Sequence, residues 1–223
     1  YDHVFMEKFD KRAQPEFGIW SCDGYPGVAR WSDELYSILG HEPQSFSPAT
    51  DGARRLKRII LDLLEFSRAG KYDGHRKPVD MNALLKEYEI LRSRKISETG
   101  ALIEYQTLPV IRTLEAPLIQ VVHNILDNAL KYVMKGTAPR VTVNVTEETD
   151  FWRFEFSDNG IGIDPEYFEK VFIFFQRLHN RDAYSGTGMG LVISKKNIES
   201  LGGTIWLRSV KGRGSVFTFT LPK

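Results

Sequence analysis

Apolar residues recur along the chain with two different periods. Between Asp51 and Gly70, Leu56, Ile59, Ile60, Leu63 and Leu64 fall at i, i+3, i+4, i+7 and i+8, with Arg54, Arg55, Lys57, Arg58, Asp62 and Glu65 on the other face. That spacing predicts an amphipathic helix ending near Gly70, whose stripe packs either on its own domain or on a bundle or dimer neighbour. Upstream, Phe17 to Trp20, Cys22 to Gly27 and Val28 to Trp31 read as strand, turn, strand. Ser32 before Asp33 and Glu34 predicts an N-cap, and Leu35, Ile38 and Leu39 a short apolar face closed by Gly40. A polar linker at 71–80, with Gly74 and Pro78, separates this part from a second domain. There the pattern predicts a helix over 81–97, a strand at 101–107, a helix over 115–135 and paired strands at 139–147 and 151–158. A glycine-rich stretch runs to 186, followed by a helix over 187–201 and a hairpin of 203–209 with 214–221. The mixed order predicts an α+β fold, a two-layer α/β sandwich with a mixed sheet and helices on one face.

Charge narrows the partners. Thirty Lys and Arg against 29 Asp and Glu leave a formal charge of +1 over 223 residues, so no global field favours nucleic acid, and any phosphate must be held locally. No stretch approaches the ~20 apolar residues that span a bilayer. No membrane contact within this chain is expected. Cys22, the single cysteine, has no disulfide or CxxC partner, which fits a reducing compartment, with cytoplasm as the expectation. The chain opens at Tyr1 without a signal segment, and a piece of a longer protein is expected.

Three pieces of the second domain carry candidate chemistry. In His123-Asn-Ile-Leu-Asp-Asn-Ala-Leu-Lys-Tyr132, Asn124, Asn128 and Lys131 share one face of an otherwise apolar helix. They are either surface amides with a helix cap or polar groups that need a ligand. Asp158-Asn-Gly-Ile-Gly-Ile-Asp164 follows a strand; it is either a capped glycine turn or a place where backbone approaches a ligand beside a fixed acceptor. Gly186-Thr-Gly-Met-Gly-Leu191 opens a helix, where backbone N–H groups suit an anion. There is no GxxxxGK[ST], no HRD or DFG, no HExxH, no GxSxG and no close His/Cys ligand set.

With Phe172-Ile-Phe-Phe-Gln-Arg177 between the glycine boxes, these pieces follow one another within about 70 residues. The order resembles the ATP-binding domain shared by sensor histidine kinases, gyrase-type ATPases, MutL and the heat-shock chaperone ATPases. The resemblance implies ATP and Mg²⁺ as cofactors, with Asn128 as the magnesium-ligating amide, Asn124 its neighbour, and Lys131 and Tyr132 facing phosphates or ribose. It implies Asp158 as the adenine reader, Gly160 and Gly162 admitting the purine, and Gly186, Thr187, Gly188, Met189, Gly190 and Leu191 around the phosphates. Phe175 to Tyr184 becomes a lid with Arg177 toward the γ-phosphate, while core packing accounts equally for Phe172, Phe174 and Phe175.

Where hydrolytic relatives carry a glutamate base one turn before the magnesium amide, this chain has Asn124, which takes no proton. The site is therefore expected to hold ATP for an external nucleophile, as in histidine kinases. Residues 51–70 resemble the second helix of the dimerisation and phosphoacceptor hairpin, and Phe17 to Pro48 the opening of a PAS sensor domain. The implied organisation is a PAS-like piece over 1–50, one hairpin helix over 51–70 and a catalytic domain over 71–223, acting as a homodimer with a response-regulator receiver domain. The five histidines, His3, His41, His75, His123 and His179, include no credible phosphoacceptor. A missing segment at the Thr50–Asp51 junction is expected, and a non-enzymatic ATP-binding or dimerisation module is the alternative.

Overall fold

The computed structural model describes residues 20–22, 29–31, 51–72, 74–173 and 187–223, with side chains from residue 57 onward. The chain divides into two units at Ile59–Ile60. In the first, β1 (Trp20–Cys22) pairs antiparallel with β2 (Ala29–Trp31), so two paired strands are present, β1 reaching Cys22 where the turn is expected; residues 17–19 and 23–28 and the helix expected after Ser32 lie outside the described residues.

Helix α1 (Asp51–Arg68) crosses the division. Its end turns at Gly70, whose φ of +77° is a conformation glycine adopts without penalty. Ile60, Leu61, Leu63 and Leu64 remain 48–49% exposed, while Ala69 is buried against Met189 and Ile193, with Phe66 packed alongside.

Among the described residues the second unit contains two sheets. β3 (Lys77–Asp80) and β5 (Val110–Thr113) form a small antiparallel pair. The linker assignment at 71–80 is corrected at its end, because Pro78 and the short length hide a strand whose partner is thirty residues away. The larger sheet has the order β4-β6-β7-β9-β8, from β4 (Leu102–Tyr105), β6 (Arg140–Glu147), β7 (Phe151–Asp158), β8 (Ile205–Val210) and β9 (Gly214–Pro222). β4 runs parallel to β6 and the other pairs are antiparallel, so the sheet is mixed.

Helix α2 (Met81–Leu91) starts at Asp80, whose carboxylate accepts from the N–H groups of Asn82 (2.8 Å) and Ala83 (3.4 Å). The single helix expected over 81–97 is instead two: α2 stops at Arg92 and α3 (Ser93–Thr99) follows, ending at Gly100 with φ +63°. Helix α4 (Glu115–Ala129) ends six residues before the expected 135. Helix α5 (Gly190–Ser200) starts at Gly190, not 187.

One core joins these elements. Leu84, Leu85 and Tyr88 of α2, Leu118, Val121, Val122, Ile125 and Leu126 of α4, and Ile198 of α5 meet Val141, Val143, Phe154, Phe156, Phe217 and Phe219 of the sheet. The strand residues alternate, as expected where one face is buried and the next residue points away. Phe219 stacks between Phe154 and Phe156 at 5.1 and 5.8 Å between ring centres.

Candidate functional site

Asp158 closes β7 and begins the Asp-Asn-Gly turn. One carboxylate oxygen accepts from the N–H groups of Gly160 (2.8 Å) and Ser215 (3.1 Å); the other accepts no hydrogen bond among the described residues. Burial raises the Asp158 pKa above the ordinary carboxylate value, and the two backbone donors only partly offset this. The carboxylate is thus fixed on one side and open on the other.

The following residues are threaded between two elements. Asn159 accepts from Arg140 N–H (2.8 Å) and donates to the Ala138 carbonyl (3.0 Å). Ile161 N–H donates to the Tyr132 carbonyl (2.9 Å), Ile163 N–H to the Ser209 hydroxyl (2.8 Å), and Gly212 N–H to the Ile161 carbonyl (2.7 Å). A Cβ at Gly160 would collide with the Tyr132 carbonyl, and one at Gly162, where φ is +68°, with the Val210 carbonyl. Both glycines are therefore required by close backbone packing inside the domain, whatever else they admit.

Helix α4 carries the asparagines. Asn124 donates its amide to the Gly190 carbonyl (3.0 Å) and the Ser194 hydroxyl (3.2 Å), which ties α4 to the first turn of α5. Asn128, one turn on, is partly buried and its amide meets no partner among the described residues. Lys131 donates to the Tyr132 hydroxyl (2.7 Å), with its ammonium 4.1 Å from the centre of that ring.

In the glycine box, Gly188 has φ +80° and Gly190 starts α5. Thr187 donates to the Asp62 carboxylate of α1. The Met189 side chain is spent on the apolar cluster with Ala69 and Ile193, and Leu191 packs on the main core. Lys196 reinforces the same seat, donating to the Phe66 carbonyl (2.9 Å) and lying 3.9 Å from the centre of its ring. Phe175, Arg177 and Gly186 lie outside the described residues.

The contacts of two residues in the same segment are not read from the sequence. Asp127, between the two asparagines, receives a fork from Arg92 (2.9 and 2.7 Å) and the Tyr88 hydroxyl (3.0 Å). Tyr88 and Arg92 stand four apart on one side of α2, a spacing that marks a shared face without naming the partner. His123 packs on the Tyr88 ring at 5.1 Å, and burial lowers its pKa. Among the described residues no cluster of three His, Cys, Asp or Glu could hold a metal ion.

An α+β domain with a mixed five-stranded sheet and helices packed on it is the frame of a nucleotide-binding ATPase domain. The family described as histidine kinase-, DNA gyrase B- and HSP90-like ATPase matches residues 113–223, and this part of the chain belongs to it as a sensor histidine kinase catalytic, ATP-binding domain. The phytochrome-like protein Cph1 of Synechocystis sp. is 37% identical over 174 residues, covering 78% of this chain and 23% of that protein. Sensor histidine kinase WalK of Bacillus subtilis is 30% identical over 188 residues, 81% of this chain and 30% of its own length. The solved structure of full-length ShkA in complex with AMPPNP superposes with a TM-score of 0.65 at 27% identity, over 77% of this chain and 36% of that one. The chain thus spans about a quarter of the length of the curated relatives it matches.

Proposed function

We propose that this chain is part of a sensor histidine kinase that transfers the γ-phosphoryl group of Mg-ATP to a protein histidine, for relay to a response-regulator aspartate. The observation that carries the reading is the buried Asp158 carboxylate, held on one oxygen by the N–H groups of Gly160 and Ser215 while the other accepts no hydrogen bond among the described residues. Asp158 accepts from the adenine amino group; guanine presents a carbonyl there, which would face an acceptor with an acceptor. Asn128 and the phosphate oxygens hold Mg²⁺, which when bound neutralises phosphate charge. Lys131 and Tyr132 orient the phosphates, and the backbone N–H groups of Gly186 to Leu191 receive them at the start of α5. Asn124 holds α4 against α5 and abstracts no proton, so the nucleophile comes from a histidine nitrogen. A new N–P bond forms as the bond from the γ-phosphorus to the β–γ bridging oxygen breaks, and ADP leaves. Arg177 and Phe175 belong to the lid of this reading, with Arg177 toward the transferred group.

The organisation proposed is a PAS-like piece over 1–50, a hairpin helix over 51–70 and a two-layer catalytic domain over 71–223 with its helices on one face of the sheet. The exposed Ile60, Leu61, Leu63 and Leu64 of α1 suit a homodimer seam. No helix among the described residues is long and apolar enough to cross a membrane, and the proposed setting is cytoplasmic. One observation favours the rival, an ATP-binding module without catalysis: none of the five histidines stands as a phosphoacceptor.

The test supplies a separate histidine-bearing hairpin chain and follows label from the γ-phosphate of ATP. The wild-type chain is expected to label it, and Asn128→Ala to abolish labelling with an unchanged thermal melt. Undiminished labelling in that variant removes Asn128 from the reaction, and absence of labelling by wild type with ATP bound selects the rival.

A further inference from the structure

Helix α4 has a second polar flank, turned toward α2 and α3. Asp127 lies there, and the break at Arg92 leaves a groove of about 490 Å³ beside it. Arg92, Arg94, Lys95 and Lys131 line the groove together with Glu98 and Asp127. Four cations thus face two carboxylates. Both carboxylates are already engaged, Asp127 by Arg92 and Tyr88, and Glu98 by Arg94 at 2.7 Å.

Lys95 is partly buried in the wall, and its ammonium makes no hydrogen bond or ion pair among the described residues. Burial lowers its pKa; Asp127 opposes this, while Arg92 and Lys131 add to it. A partly desolvated ammonium sharing its groove with Arg92 and Lys131, beside an Asp127 carboxylate already engaged, is stabilised by a multiply charged anion. We propose that the groove between α2–α3 and α4 binds a small inorganic phosphoryl anion, of the phosphate or pyrophosphate class, at a subsite adjoining the nucleotide cradle and sharing only Lys131 with it. Compact tetrahedral oxygens suit guanidinium and ammonium donors converging from several directions. The chain's net charge of +1 supplies no wider basic field for a polyanionic strand.

Separation follows from the helix itself. Asn124 addresses α5, whereas Asp127, three residues later, is held by α2; the flanks meet at Lys131. That the subsite is a second one rests on the nucleotide reading; the groove and its charges do not.

Pyrophosphate is the probe, titrated calorimetrically at fixed ionic strength into the full chain saturated with ADP in the absence of Mg²⁺. One saturable site is expected to remain, weakened about tenfold by Lys95→Gln and restored by Lys95→Arg, with ADP affinity unchanged within about twofold. Complete exclusion of pyrophosphate by ADP overturns the proposal, as does equal affinity in wild type and Lys95→Gln. If ADP itself does not bind, the nucleotide reading fails, and titration with pyrophosphate alone still decides the groove through Lys95→Gln.

Discussion

On the α2 side of α4, Asp127 is forked by Arg92 and capped by Tyr88, and its pKa lies below the ordinary value because these partners outweigh the burial that would raise it. At the end of β7, Asp158 is buried with two backbone donors on one oxygen and none on the other among the described residues, and its pKa is raised. The two carboxylates sit in one small domain and differ in whether folding completes their hydrogen bonding. A satisfied carboxylate contributes to the fold; an incompletely satisfied one is a cost that a ligand can relieve.

The largest expected effect lies on the open side. Asp158→Asn keeps an oxygen for Gly160 and Ser215 but presents an amide donor toward the ligand. ATP affinity is expected to fall at least about 100-fold with little change in melting temperature. Calorimetric titration and a thermal melt check this, and a parallel loss of both would make the two carboxylates alike. On the closed side the expectation reverses. Arg92→Ala leaves Asp127 partly buried without its fork and should cost about 2 kcal/mol in chemical denaturation, after allowance for an ion pair about one-third exposed.

The pH dependence separates the two groups more finely. The contribution of Asp127 is present above the ordinary carboxylate pKa and is lost as pH falls through its lowered native value. Asp158 runs the other way: its cost is present above its raised native pKa and fades as pH falls through it toward the ordinary value. Denaturation between pH 7 and 3 should therefore show a small gain in stability in mild acid that Asp158→Asn removes. A loss at the acid end, which Asp127→Asn reduces, should follow.

What the sequence made legible follows from how local each feature is. β7 matches its expected span of 151–158 and β6 starts one residue late, because alternation against a buried face leaves little freedom of register. The predicted break between 97 and 101 missed the one at Arg92, where the side chain leaves the helical course to reach Asp127, thirty-five residues away. No periodicity records such a pairing. β3 and β5 stayed hidden because each is four residues long and finds its partner across α2, α3 and β4. Within the site, the spacing of Asn124 and Asn128 marked one face of α4. That Asn124 is tied to α5 while Asn128 is left open depends on where α5 begins.

Strand β9 is the latest in sequence of the five, yet it lies between β7 and β8. During synthesis, β4, β6 and β7 leave the ribosome first, and the edge of β7, with Phe151, Trp152, Phe154 and Phe156, has no neighbour until Gly214 to Pro222 emerges. Nascent chains of this domain thus carry an aromatic, unpaired strand edge through the whole interval in which α5 and β8 are made, a natural client surface for a holding chaperone.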